Sequence, residues 1–439
     1  MNSKNFFEKA KLVGITDAEL SFNDTSELNI SLFHKEIDSY SISNQSVILA
    51  RGIYKDKLGF ATTEDVTKNN IDFLIDGIKS TAFLIEKVEK PIIFKGSEKY
   101  HKKNLFNKEL ASCSVDEKLA KLHELEDIAY SLDKRITEVQ VSYSESTNAS
   151  ELANSNGLKL KQKNNYYYYF LSVVAKNGEE TKSNYDLFLD ADFTKFNPRE
   201  LATKVVEEVL TKFNGTSIKP KAYKAVLNQH TVADLMTALI NTHTNAENVQ
   251  KKTSLFMGKL NQQVLSKKIT IEERPLDKNC FFSYFDDEGV AKENLKIINK
   301  GVLSTYLYNL ETAQKDHVES NGNATRTNTK IGISASSLVL KPGRMSEDEL
   351  IKKVGNGVYI SSITGLHAGL NPSSGDFSLE AEGYHIVDGK KAGALSLITV
   401  SGNLIKVFND VIGVANNSLL LTSSTTTPSI AIKNLKVSS

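Results

Sequence analysis

Cysteine is nearly absent from this chain: Cys113 and Cys280 are the only two in 439 residues. That is too few for a disulfide framework, and with no metal-binding spacing each reads as a small buried hydrophobe. No segment approaches the roughly 18 consecutive apolar residues of a membrane span. Charge of one sign is missing too, since 54 Lys and Arg meet 53 Asp and Glu for a net charge of +1. That balance does not call for a polyanionic partner. The opening MNSKNFFEKAKLVGITD carries Phe6, Ala10 and Val13 on one helical face, with lysines breaking any apolar run. It reads as a first structural helix and not as a signal peptide, so a cytoplasmic location without membrane contact is expected.

The usual catalytic signatures are also lacking. Hydrolytic zinc needs imidazoles or carboxylates converging on the metal, with a carboxylate to take a proton from bound water. The His123-Glu124 pair has no second histidine one turn on and sits in a charged amphipathic segment, which suits solvated surface. His230 and His243 are too far apart to chelate from one helical turn. Ser373-Ser374-Gly375 lies near His367 and His385 in sequence, but no G-x-S-x-G elbow accompanies it, and phosphate-binding glycine loops are absent. Lys159, Lys161 and Lys163 before Tyr166 to Tyr169 would suit a single-stranded nucleic acid, yet the same alternation describes a half-exposed strand.

What is present is a clear change of period along the chain. Leu28, Ile30 and Leu32, then Ile37 onward, VILARGIY and LGFATT around Lys55-Asp56-Lys57 alternate as antiparallel strands. Ile71, Leu74, Ile75 and Ile78 then follow helical spacing, and Ser114 to Glu117 forms a capping box before Leu119, Leu122 and Leu125. Strands return at Val139, Val141 and Tyr143 and after the Asn154-Ser155-Asn156-Gly157 turn, followed by a helix from Pro198 to Phe213. Gly215 to Lys221 marks a boundary, giving an N-terminal α+β domain (1–215) and a C-terminal domain (216–439). The second half opens with the strand KAVLN and a helix facing inward with Val232, Leu235, Met236 and Leu239. Short strands, turns and one helix capped at Ser346 to Glu349 follow. The fold class is α+β, with an antiparallel sheet and helices in the first domain. The second domain is β-rich, an antiparallel sheet or barrel-like, with a few helices.

Two stretches stand out: SNGNATR (320–326), whose Arg326 can anchor a carboxylate or a salt bridge, and GLHAGLNPSSGDFSLEAEGYHIVDGK (365–390), dense in glycine. With Phe285 to Val290, Lys300 to Leu303, Tyr306 to Tyr308, TVSGNL (399–404) and Pro428 to Ile430, they stand in the order of the TldD/PmbA (TldE) family's motifs. RGIYKDKLGFATTEDV (51–66) and the Asn154 to Gly157 turn extend the resemblance over essentially the whole chain.

The family resemblance implies a two-domain subunit of a zinc metallopeptidase complex whose dimers enclose a cleft for unstructured peptides. The catalytic TldD type holds zinc on a His-Glu-x-x-x-His helix and a later cysteine. Here His230 is followed by Thr231 and Leu235 where glutamate and histidine belong, and NNSLLLTSSTTTPSI (416–430) offers no thiolate. The chain therefore resembles the PmbA/TldE-like subunit, with no catalytic residues and no metal of its own. Zinc is expected in a TldD-like partner, and a homodimer when the chain is alone. Asn323, Arg326, Asn371, Gly375, Asp376, Phe377 and Ser378 are the candidates for peptide-cleft or partner contact. The alternatives are a stand-alone peptide-binding homodimer and, against the charge balance, a DNA gyrase-associated factor.

Overall fold

Two long hairpins build the first half. In the computed structural model, which describes residues 3–65, 70–84, 90–327 and 330–439, β1 (Ile15–Phe33) and β2 (Glu36–Tyr54) each run 19 residues. They turn through His34 and Lys35, both at positive φ (51° and 65°), as a two-residue hairpin requires. Lys55 and Asp56 repeat that geometry before β3 (Lys57–Thr63). β4 (Ile136–Asn154), β5 (Lys159–Asn177) and β6 (Glu180–Asp190) form the second set, and β1 pairs with β4 along nearly its full length. One antiparallel sheet of six strands results, in the order β3-β2-β1-β4-β5-β6. The pieces read separately as Ile37 onward and VILARGIY are one strand, because pairing with β1 continues through the polar residues between them.

Helices cover this sheet at two places. α1 (Ser3–Leu12) and α2 (Ile71–Thr81) bury Phe6, Ala10, Leu74, Ile75 and Ile78 against Ile48, Ala50 and Ala61. Val13 does not join them: it follows the end of α1 and is 41% exposed. α3 (Lys108–Ser112), α4 (Val115–Leu132) and α5 (Pro198–Thr211) sit over Val141, Tyr143, Tyr167 and Tyr169. The capping box on Ser114 and Glu117 is formed as expected, whereas α3 is too short to show a period in sequence. Tyr167 and Tyr169 are wholly buried while Lys159, Lys161 and Lys163 are exposed on the same face of β5, which is covered only along its tyrosine end. The described part of RGIYKDKLGFATTEDV ends at Asp65, and its Val66 lies outside the described residues.

In the second half β7 (Lys221–Leu227) and the strands Gly357–Thr364, Asp376–Val387, Ile398–Asn403 and Ile430–Ser438 pair in a ring and close a five-stranded barrel. Alternation divides its faces. Leu227, Val358, Ile360, Val400 and Ile432 join Val232, Leu235, Met236 and Leu239 of α6 (Gln229–His243) in the largest core. Val226, Tyr359, Tyr384 and Ala431 point the other way, beneath the helix Glu347–Val354. A further sheet of short strands, from Ile271–Glu273 to Thr426–Thr427, packs on the same core.

Gly59 tests how closely α2 lies on the sheet. A Cβ there would stand 1.9 Å from the Ile78 carbonyl oxygen, a backbone atom that cannot rotate away. Gly59→Ala is expected to destabilise the fold by about 1–3 kcal/mol, read from the urea unfolding midpoint.

Candidate functional site

α6 is the element on which a metal site was expected to be degenerate. Asn228 caps it, accepting from Thr231 N at 2.9 Å and donating its amide to Ser361 O at 2.5 Å, so the first turn is fixed to the barrel. Thr231 and Leu235 are both buried, and Thr231 Oγ1 has no hydrogen-bond partner among the described residues. Leu235 packs in the core. One turn beyond His230 stands Asp234, which is exposed. Desolvation holds its carboxyl above the usual range, and His230 opposes that shift. The C-terminal segment runs alongside: Thr427 Oγ1 donates to Gln229 O at 2.8 Å, Gln229 Nε2 to Asn417 O at 2.9 Å, and Thr425 faces Thr237 hydroxyl to hydroxyl at 3.5 Å. Helix and C-terminal segment thus meet, and they bring together hydroxyls, one imidazole and one carboxylate. Asp234 was legible as the i+4 partner of His230, a spacing the sequence reading did not use.

Arg326 lies elsewhere, where the two halves join. Glu19 and Arg51 are register partners on β1 and β2; Arg51 Nε donates to Glu19 Oε1 at 3.0 Å, and its Nη1 reaches Glu288 at 3.5 Å. Arg326 Nη2 approaches the same Glu19 oxygen at 3.4 Å and donates to Asp287 O at 2.8 Å. All four side chains are nearly closed to solvent. Burial works against the Arg51 cation, but Glu19 and Glu288 outweigh it and raise its pKa. Burial lowers that of Arg326, with Arg51 adding repulsion. Beside them Asp286 accepts from the backbone N–H of Glu288, Val290 and Ala324 at 2.9 to 3.0 Å. Its carboxyl is nevertheless pushed up to about 7, by desolvation first and the Glu288 charge second. Asn323 is buried and ties Asn321. Arg326 and Asn323 are therefore engaged within the fold.

The Asn371 to Ser378 loop forms a separate unit. Asn371 Oδ1 accepts from Ser373 N and Ser374 N, Gly375 turns at φ +73°, and Asp376 takes a 2.9 Å bond from Asn403. Phe377 is buried in the core against Gly402, whereas Ser378 is exposed opposite Ser401. Gly375 abuts Leu255, which is exposed, as are the nearby Met257 and Leu260. No hydrogen bond among the described residues joins this loop to the Arg326 cluster. Of the other sequence candidates, His367 and His123 are exposed and His385 bonds Thr216. Burial lifts Cys113 to about 11 and Cys280 to about 12, so neither offers a thiolate.

Profiles of three PmbA/TldA metallopeptidase domains match the chain in order: domain 1 at residues 18–82, the central domain at 108–213 and the C-terminal domain at 220–439. The chain belongs to the PmbA/TldD family. Among the relatives of this family member, an uncharacterized protein of Methanocaldococcus jannaschii is 26% identical, over 90% of this chain and 91% of its own. The Metalloprotease PmbA homolog of Haemophilus influenzae is 23% identical over 96% and 92%. A Thermotoga maritima crystal structure, described as that of a modulator of a DNA gyrase, superposes with a TM-score of 0.91 at 28% identity, covering 99% of each chain. TldE from Thermococcus kodakarensis shares the fold with a TM-score of 0.92 at 22% identity over the full length of both.

Metalloprotease relatives imply zinc in the PmbA/TldD family, and the donors around α6 do not fit it. His230 and Asp234 are two ligands where hydrolytic zinc takes three protein donors, and the neighbouring threonines are poor ligands. Among the described residues no group of three or more His, Cys, Asp or Glu converges.

Two predictions follow from this geometry. Arg51→Met leaves Glu288 buried without a cation and Glu19 with only Arg326 at 3.4 Å, and is expected to cost about 3–5 kcal/mol in urea unfolding. At the far end of α6, burial alone holds His243 neutral, down to about 4 from 6.5. The unfolded chain takes up that proton first, so the stability His243 contributes is complete above pH 6.5 and is lost as pH falls toward 4. Asp286 works in the opposite sense, its contribution being lost as pH rises through about 7. His243→Gln should therefore lose about 2–3 kcal/mol less than wild type between pH 7 and pH 4, by urea midpoints at each pH.

Proposed function

We propose that this chain is the non-catalytic, PmbA/TldE-type subunit of a zinc metallopeptidase acting on unstructured peptides, with zinc and the general base supplied by a TldD-type partner. The carrying observation is the donor set of α6: His230 and Asp234, with a buried Thr231, a core Leu235 and only hydroxyls from residues 416–430 alongside. With no thiolate and no third ligand, water activation on this helix has no chemical basis. The subunit's contribution is then to shape the cleft, with the exposed Asn371, Asp376 and Ser378 as contact candidates and the buried Gly375 and Phe377 holding their loop; Asn323 and Arg326 act in the separate ion cluster where the halves join. The complex works in the cytoplasm; no helix among the described residues is long and apolar enough to cross a membrane.

A second reading, a peptide-binding homodimer without hydrolysis, draws on β2. Residues 36–45 of that strand are exposed and pair only with β1 among the described residues, leaving an edge to which an extended peptide can add as a strand. Purified chain with zinc is expected to cleave an unstructured casein-type substrate no faster than buffer, and to do so only when mixed with a TldD-type subunit. Cleavage by the chain alone would overturn the proposal; peptide binding with no cleavage in the mixture would favour the homodimer.

A further inference from the structure

A concavity of about 320 Å³ opens on the short-stranded sheet of the second half, lined by Lys267, Lys268, Lys296, Lys300 and Lys341. None of these five ammonium groups has an ion-pair or hydrogen-bond partner among the described residues. Such pairs are common elsewhere in the chain, whose cations and anions nearly cancel. The single carboxylate in the lining, Glu272, is already bound to Arg274 at 3.0 Å. Five like charges around one hollow repel each other, and a bound anion reverses the sign of that energy.

The frame that carries them is rigid. Lys300 N donates to Thr270 Oγ1 at 3.0 Å, Lys341 N to Thr270 O at 2.9 Å, and Gly301 N to Ile269 O at 2.7 Å. Chain segments distant in sequence are thereby locked around one opening. None of the lining residues belongs to α6, the Asn371 to Ser378 loop or the Arg51 cluster, so this is a separate site.

We infer that this concavity binds a small, multiply charged phosphate anion. The volume suits a small ligand and not a helical polyanion. Every cation in the lining is a lysine, which holds a phosphate as a point charge, and no arginine fork, which would grip carboxylate or phosphate bidentately, is present. It contains no aromatic ring, so a nucleobase would gain nothing by stacking there.

Titration calorimetry of the full chain with tripolyphosphate tests the inference. Binding should weaken about tenfold or more in the triple variant Lys296→Gln, Lys300→Gln, Lys341→Gln. It should stay within about twofold of wild type in a charge-matched control, Lys11→Gln, Lys176→Gln, Lys259→Gln. ATP should bind no more than about threefold tighter than tripolyphosphate, as the absence of a stacking surface requires. Independently of any variant, tripolyphosphate should protect Lys296, Lys300 and Lys341 of the wild-type chain from acetylation, read by mass spectrometry. No binding by wild type, equal losses in both triple variants, a strong preference for ATP, or no protection of these lysines would each overturn it.

Discussion

Glu19 and Arg51 face each other across β1 and β2, and around that pair the two halves are joined. Neither charge reaches water, so each depends on the other and on Glu288 and Arg326 from the second half. A buried ion pair adds little net stability, but it is intolerant of misplacement: a shift of the halves would strand a charge in a low-dielectric interior. Apolar contact reinforces the join, with Leu152 and Leu160 of the first half packed on Phe282, Tyr284 and Phe285 of the second. Tyr284 accepts from Lys161 N and donates to Lys161 O, closing the seam with a backbone-to-ring pair.

The elements announced in the sequence were those with local causes. Capping boxes at Ser114 and Ser346 and the helical spacing of Ile71 to Ile78 formed as read, and the turn read at Lys55 to Lys57 formed one residue shorter, with Lys57 opening β3, since each depends on neighbours a few residues away. The ion cluster is non-local: Glu19 and Arg326 are separated by 307 positions, and no periodicity reports such a contact. One local signal did exist. Arg51 interrupts the apolar run VILARGIY, and a charge on a buried strand face must find a partner. Arg326 stands out in sequence only through its motif, and its interior role depends on Glu19 of β1 beside it. The loop at 371–378 was legible as a turn, while the burial of Phe377 within it follows from the barrel register.

The fold keeps the PmbA/TldD family architecture around a helix whose donors, among the described residues, do not make a zinc site. α6 is still capped, still anchored to the barrel and still flanked by the C-terminal segment. Hydroxyls, one imidazole and one carboxylate surround it, and burial raises the pKa of both cysteines. The proposed role rests on this combination of a well-positioned helix and a donor set that does not fit zinc.

The orientation of Leu235 bears on how the chain could change. Leu235, at the place of the motif's second histidine, points into the main core. An imidazole at this position would displace packed aliphatic carbon and arrive without a partner for its second nitrogen. Restoring the motif by substitution at Thr231 and Leu235 would thus damage the barrel's packing before it assembled a site. A metal site on this helix would first require the core around Leu235 to be repacked.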